Sequence, residues 1–250
     1  MAELYPNLIT VKQAIGLQTT YEGNSIYWVK ISDNPNIDEE NETEVLYTAL
    51  THAREPVGMM QTIYYMWYLL ENYQNGGEVE YLVNNLELYF VPCVNPDGYI
   101  YNQTSAPNGG GMWRKNLRDN NNNSTFSEYE DGVDLNRNFG YQWGFDDSGS
   151  SPDQTDATYR GPSAFSEPET QLIKYFCEQH NFIIAQNHHT YSNFILYPWG
   201  YDEINTDEVD IFSTYAKYMA RNNGYATGTG WELLYTTNGD ANDWMYGEQT

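Results

Sequence analysis

His52 and Glu55 stand three apart in Thr51-His52-Ala53-Arg54-Glu55-Pro56, where an apolar strand gives way to a long helix. Imidazole nitrogens and carboxylate oxygens are both zinc donors. A turn at a strand end can aim the two at one ion, whereas adjacent residues within a strand point to opposite faces. A catalytic zinc takes three protein donors and keeps a fourth position for water. The chain has four histidines, His52, His180, His188 and His189. His180 falls at a helix end, where its charge suits the helix dipole, and it reads as structural. The third donor is then His188 or His189, and the strand ending beside them lets only one point inward with ease. Arg114 and the Asn136-Arg137 pair supply scarce cations, and guanidinium groups grip carboxylates through two parallel hydrogen bonds. Arginine near a zinc site implies a substrate with a free carboxylate.

The bulk composition limits the alternatives. With 35 acidic against 11 basic residues the formal charge is −24, which repels polyphosphates and anionic lipid, so neither nucleic acid nor membrane is an expected partner. No apolar run approaches the roughly eighteen residues of a membrane-spanning helix, and residues 1–30 lack a basic segment followed by an apolar one, so no export signal is read there. At 250 residues and 40% hydrophobic the chain can bury a substantial core. Cys93 and Cys177 have no C-x-x-C companion and sit in apolar contexts, which predicts buried free thiols.

The elements that position these residues follow from periodicity. Residues 8–15 read as helical, Ser25–Ile31 as a strand, and residues 32–44 as a loop of turn formers and carboxylates. That loop is either a solvated acidic segment or a calcium site, since closely spaced oxygens suit a hard cation. Val45–Leu50 is a buried strand ending at His52, and Pro56 suits the first turn of the next helix. Val57, Met60, Ile63, Tyr64 and Trp67 follow at helical spacing and are expected to pack in the core. A helix over Val79–Asn85 leads into a strand, Leu86–Val94, which stops at the turn Asn95-Pro96-Asp97-Gly98. Residues 102–131 read as one long loop. Ser166 and Glu169 form a capping box for a helix through Cys177, and Phe182–Gln186 is a third buried strand delivering His188 and His189. A helix over Asp207–Asn222 should bury Val209, Phe212, Tyr215, Ala216 and Met219 on one face. Strands alternating with helices, with polar residues gathered past strand ends, predict one α/β domain over residues 1–250, its sheet mixed but mostly parallel and flanked by helices.

Six segments of this chain, in order, resemble the zinc metallocarboxypeptidases of the carboxypeptidase A type. They are Thr51-His52-Ala53-Arg54-Glu55, Asn95-Pro96-Asp97-Gly98-Tyr99, Trp113-Arg114-Lys115-Asn116, Asp134-Leu135-Asn136-Arg137-Asn138-Phe139, His189-Thr190-Tyr191-Ser192 with Leu196-Tyr197-Pro198, and Asp243-Trp244-Met245-Tyr246. Ser32-Asp33-Asn34, Glu44 to Leu50, Gly140-Tyr141-Gln142-Trp143-Gly144 and Tyr159 to Ser166 look most like the bacterial carboxypeptidase T branch.

The resemblance implies zinc held by His52, Glu55 and His189, with His188 displaced. It implies that Arg114 polarises the scissile carbonyl, that Asn136, Arg137 and Tyr235 hold the terminal carboxylate, and that Arg54 supports substrate binding. Asn242 and Asp240 fall at the side-chain pocket, leaving specificity open between mixed and basic residues. The likeness to the T branch makes Asp33, Glu40, Glu42 and Glu44 candidate calcium ligands, although the loop carrying them is one residue longer here. The implied reaction is hydrolysis of the C-terminal peptide bond of peptides or proteins by a secreted monomer. Members of the family carry a general-base glutamate on a strand beyond the tyrosine of the last segment. This sequence runs four positions past Tyr246, to Thr250. The expectation is a domain without the family's final strand and helix, one that binds zinc and hydrolyses poorly. The alternatives are a zinc-bearing, non-catalytic binder of peptide ends and a peptidoglycan-trimming peptidase, against which the Asn136-Arg137 pair counts.

Overall fold

The apolar runs become the middle of a five-stranded sheet. In the computed structural model, which describes residues 1–249, the mixed α/β chain packs as two compact units. One comprises residues 1–113 and 171–190, the other residues 114–170 and the chain from 191 onward.

The first unit contains β1 (Gln13–Ala14), β2 (Tyr27–Ile31), β3 (Thr43–Ala49), α1 (Pro56–Asn72), α2 (Glu78–Val83), β4 (Leu86–Val91), α3 (Pro96–Ser105), most of α4 (Pro168–Cys177) and β5 (Phe182–His188). The sheet order is β1-β2-β4-β3-β5. β1 and β2 pair antiparallel, as do β2 and β4, whereas β3 runs parallel to both β4 and β5. Val45, Leu88, Phe90 and Ile31 from the sheet meet Met66, Leu69, Leu70, Val79 and Val83 from α1 and α2 in one buried cluster. Each such side chain contributes roughly 1.5–3 kcal/mol by leaving water.

Three expectations fail here, each for an identifiable reason. Residues 8–15 are not helical. Ile9 bridges Ile31, Thr10 exchanges hydrogen bonds with Lys30, and Gln13–Ala14 pairs with β2. The β-branched run Ile9-Thr10-Val11 is better served by a neighbouring strand than by a helix. Of the stripe expected in the core on α1, Ile63 and Trp67 are half-buried but Val57, Met60 and Tyr64 face out, Tyr64 being 70% exposed, while Gly58, Thr62, Met66, Leu69 and Leu70 are buried. Apolar residues occur on two sides of this helix, and its phase is set by close approach to β5. A Cβ at position 58 would stand 3.1 Å from the His188 carbonyl oxygen, a tight contact that glycine avoids where the first turn presses on the strand. Finally, α3 occupies residues read as the turn at 95–98 and as the start of the loop over 102–131. Its start was legible: Asn95 Oδ1 accepts the Gly98 N–H at 2.9 Å, and Pro96 takes the first helical position.

The second unit contains the single 3₁₀ turn Leu135–Arg137, β6 (Phe194–Tyr197), α5 (Val209–Ala220), β7 (Ala226–Thr229), α6 (Gly230–Leu233) and α7 (Ala241–Glu248). β6 and β7 form a parallel pair. Of the face predicted on α5, Ala216 is buried and Phe212 stacks on Tyr197, but Tyr215 and Met219 are exposed. No helix among the described residues is long and apolar enough to cross a membrane.

Candidate functional site

Parallel pairing of β3 and β5 brings their carboxyl ends to one edge of the sheet, the usual place for a site in such folds. Ala49 is in register with His188, so the chain beyond each strand leaves at the same level. After β3, Leu50 takes a left-handed conformation and the Glu55 N–H donates to the His52 carbonyl at 3.1 Å, closing the turn that carries both side chains. Glu55 is the residue preceding α1, and Pro56 starts the helix without needing an N–H.

Three side chains converge there. His52 Nδ1 lies 2.8 Å from Glu55 Oε1, His189 Nδ1 lies 2.9 Å from Glu55 Oε2, and the two Nδ1 atoms are 3.1 Å apart. His52 and Glu55 are buried, and the Thr190 N–H donates to Glu55 Oε2 at 3.1 Å. The donor set suits zinc. Donors around a tetrahedral zinc at about 2.0–2.1 Å stand roughly 3.3 Å from one another, close to the separations here. Two imidazole nitrogens facing each other also need a shared electrophile. Burial alone would raise the Glu55 pKa, yet hydrogen bonds from His189 and His52 hold it well below the usual carboxylate range, in the ionised form a metal requires.

His188 stands apart from this trio. Strand alternation turns it to the other face, where its Nδ1 lies 3.2 Å from the Thr48 carbonyl and burial lowers its pKa. His180 follows α4 and pairs through Nδ1 with Glu44 Oε1 at 2.6 Å, a structural role as its position implied. Arg54, beside Glu55 in the turn, is exposed.

In the second unit the guanidinium groups are held by their own motif. Arg114 donates from Nε and Nη2 to Asp134 Oδ2 at 3.0 and 2.7 Å, a fork gripping one fully buried carboxylate. The other oxygen of Asp134 accepts the Asn136 N–H at 3.0 Å and caps the turn containing Asn136 and Arg137. Asp134 thus fixes two of the expected substrate-binding segments. Sequence reading passed over it, although an aspartate two before Asn136 is a recognisable cap signal. Arg137 is buried, donates from Nη1 to the Asn136 carbonyl at 2.7 Å, and has its Nε without an acceptor among the described residues.

The segment before α7 packs on that turn. Phe139 N–H donates to the Gly239 carbonyl, and a Cβ at 239 would come within 2.5 Å of the Arg137 carbonyl, so glycine with φ +71° is required. Asn136 Oδ1 accepts the Ala241 N–H at 3.1 Å. Asp240 caps α7, with Oδ1 accepting from Asp243 N–H at 2.9 Å and Oδ2 from Thr237 at 2.5 Å. Asn242 is half-buried in the first turn of α7, and Tyr235 is exposed. Burial and the neighbouring Asp240 charge push the Asp243 carboxyl up to about 8.

The acidic loop of the first unit gathers its carboxylates in two groups. Asp33, Glu39 and Glu42 converge in one, and Asp38, Glu44 and Glu87 in the other; Glu40 is exposed and joins neither. The second group already has partners, since Glu44 takes His180 and Asn181 and Glu87 takes Lys30. In the first, burial and the charges of Glu39 and Asp33 raise the pKa of Glu42. Both cysteines are free, and burial pushes each thiol up to about 12, which keeps them unreactive at neutral pH.

Lys115, next to Arg114, is buried with Nζ donating to the carbonyls of Gln154 and Asp156 at 3.0 and 3.2 Å. Burial lowers its pKa from 10.5 to about 8, so between those values the native state sheds a proton that the unfolded chain keeps. Stability from this residue therefore rises with pH across that window. Urea unfolding of wild type and Lys115→Met should show the wild type gaining on the variant between pH 8 and 10.5. A difference that stays constant or shrinks would contradict the buried ammonium.

The chain is 30% identical to "Carboxypeptidase O" of Bos taurus over 97% of its own length and 62% of that protein. It is 33% identical to "Zinc carboxypeptidase" of Saccharothrix mutabilis subsp. capreolus, over 97% of this chain and 55% of that one. Among solved structures, thrombin activatable fibrinolysis inhibitor superposes with a TM-score of 0.84 at 27% identity, over 98% of this chain and 60% of that one. The chain thus spans less than two-thirds of the length of each of these three relatives. The donor trio and the likeness in sequence and fold converge with a match of the zinc carboxypeptidase family model to residues 1–250, and the chain belongs to that family.

Proposed function

We propose that this chain serves the hydrolysis of the C-terminal peptide bond of peptides or proteins, releasing the last amino acid. The observation that carries the reading is the convergence of His52, Glu55 and His189 donor atoms within about one ligand spacing of each other. When bound, zinc polarises a carbonyl and makes water acidic enough to attack at neutral pH.

The remaining roles belong to side chains. His52, Glu55 and His189 hold the metal, and Thr190 N–H fixes the second carboxylate oxygen of Glu55. Arg114, immobilised by Asp134, donates to the oxygen on which negative charge develops. Asn136 and Arg137 receive the terminal carboxylate, a role favoured by the buried Arg137 Nε donor that has no acceptor among the described residues. Tyr235 closes over the substrate and Arg54 assists binding. Asp240, two residues before Asn242, favours a mixed or basic preference for the released residue. By likeness to the family we place the protein outside the cell as a monomer. Asp33, Glu39 and Glu42 hold a calcium ion, and Glu42→Gln removes one calcium equivalent from a titration.

A blocked dipeptide with a free C-terminal carboxylate and its C-terminal amide make the decisive pair of substrates. Slow zinc-dependent cleavage of the free acid, with at least a hundredfold loss on amidation, is the expected result, following the loss of a buried charged partner. Equal cleavage of both would remove the carboxylate clamp and favour a wall-trimming or endo-acting peptidase. Tight zinc-dependent binding of the free acid without turnover would instead identify a binder of peptide ends.

A further inference from the structure

Residues 119–130, between the Arg114 segment and the Asp134 turn, take no part in the site described above. Their sequence falls into a twelve-position register: Asp119 at the first position, Asn121 at the third, Asn123 at the fifth, Thr125 at the seventh, Ser127 at the ninth and Glu130 at the twelfth. That is the ligand order of the calcium loop in helix–loop–helix calcium proteins, which uses side-chain oxygens at the first, third, fifth and twelfth positions, a backbone carbonyl at the seventh, and often a water at the ninth. Only two of these six are carboxylates, so the match is one of spacing rather than charge. Glycine is usual at the sixth position because the loop must turn with positive φ. Here that position is Ser124, and its φ is +60° all the same.

The loop is folded in the sense the register demands. Asp119 accepts the Asn123 N–H at Oδ1 and the Ser124 N–H at Oδ2, at 3.2 and 2.7 Å. Asn121 Oδ1 accepts from Asn123 at 3.0 Å, and Asn123 Oδ1 accepts from Thr125 at 2.7 Å. Asn121 Nδ2 lies 2.9 Å from Glu130 Oε2, which brings the third and twelfth positions together across the loop. Buried Asp131 pins the base, accepting from Asn120 and Ser127 N–H groups. Asn120, at the second position, holds the two ends of the loop together, its Nδ2 donating to the Glu130 and Gly132 carbonyls at 3.0 Å each.

We propose that residues 119–130 form a calcium-binding loop, with Asp119, Asn121, Asn123 and Glu130 giving side-chain oxygens, Thr125 its carbonyl, and Ser127 its hydroxyl directly or through water. Binding exchanges the Asn121 to Glu130 hydrogen bond for contacts to the ion. Two carboxylates on an exposed loop place the affinity at the weak end of such sites, about 10⁻⁴–10⁻³ M. Magnesium, which demands a tight octahedron and dehydrates reluctantly, should bind less well. This site is independent of the zinc trio and of the peptidase reading.

Hydrogen exchange of the zinc-loaded chain, followed by mass spectrometry over peptides spanning 119–131, tests it with calcium and magnesium as probes. Millimolar calcium should slow exchange there several-fold, magnesium should not, and Glu130→Gln should weaken the calcium effect at least tenfold. Glu42→Gln, in the acidic loop, should leave it unchanged, which separates the two regions. Zinc content reports that each variant is folded. Exchange in 119–131 that ignores calcium to about 10 mM, ten times the weak limit of such loops, would overturn the proposal. So would protection that survives Asp119→Ala and Glu130→Gln together.

Discussion

Replacing His189 with alanine should lower zinc affinity by well over a hundredfold, while His188→Ala should leave it within a few-fold of wild type. The contrast follows from geometry. His189 Nδ1 is 2.9 Å from Glu55 Oε2 and 3.1 Å from His52 Nδ1, whereas His188 faces the Thr48 carbonyl on the opposite side of the strand. Groups that merely orient a metal ligand are worth about 10–100-fold in affinity, so loss of a ligand itself must exceed that range. Competition against a chelator of known affinity reads the difference directly. Folding stability should follow: a metal present at about 1,000 times its dissociation constant stabilises the native state by about 4 kcal/mol. Zinc should therefore raise the melting temperature of His188→Ala and do little for His189→Ala. Equal zinc affinity in the two variants would remove His189 from the metal.

The site was more legible in the sequence than the packing around it, because the two depend on different information. His52, Glu55 and His189 are delivered by the ends of parallel strands, and an apolar run that stops at a polar turn is a local signal. The choice between His188 and His189 is one of strand phase, and the Ala49 to His188 register decides it. The orientation of α1 is not local. Val57, Met60 and Tyr64 form as good a stripe as Thr62, Met66 and Leu69, and what selects the second is the space that Gly58 leaves against β5. Residues 8–15 go astray for the same reason, since β2 supplies the partner that makes them extended. By contrast α3 and α7 begin at the caps Asn95-Pro96 and Asp240, which were not read as helix starts because the apolar periodicity behind them is weak. Asp134 was hidden differently: its importance lies in serving Arg114 and Asn136 at once, a relation between residues 114 and 136 that no spacing encodes.

A second large effect should come from a pair distant in function from the metal. Lys30 on β2 and Glu87 on β4 are both buried and form a short ion pair. The ammonium also donates to the Ile37 carbonyl at 2.5 Å, and the carboxylate accepts from Glu39 N–H at 3.2 Å and from the Tyr89 hydroxyl at 3.0 Å. Every additional bond on the loop side lands between residues 37 and 39, so the pair ties the acidic loop to the sheet. Removing one charge strands the other in a low-dielectric interior, which costs about 3–5 kcal/mol, whereas replacing both with apolar groups is often neutral. Lys30→Met should therefore lose about that much in urea unfolding, and Lys30→Met with Glu87→Leu should recover most of it. Recovery would be confined to the sheet. The double variant lacks both tethers to residues 37–39, so amide exchange in that loop should stay fast even where global stability returns. A single substitution costing less than about 1 kcal/mol, the value of an exposed pair, would mean that water reaches the charges and that the acidic loop is held by its own turns instead.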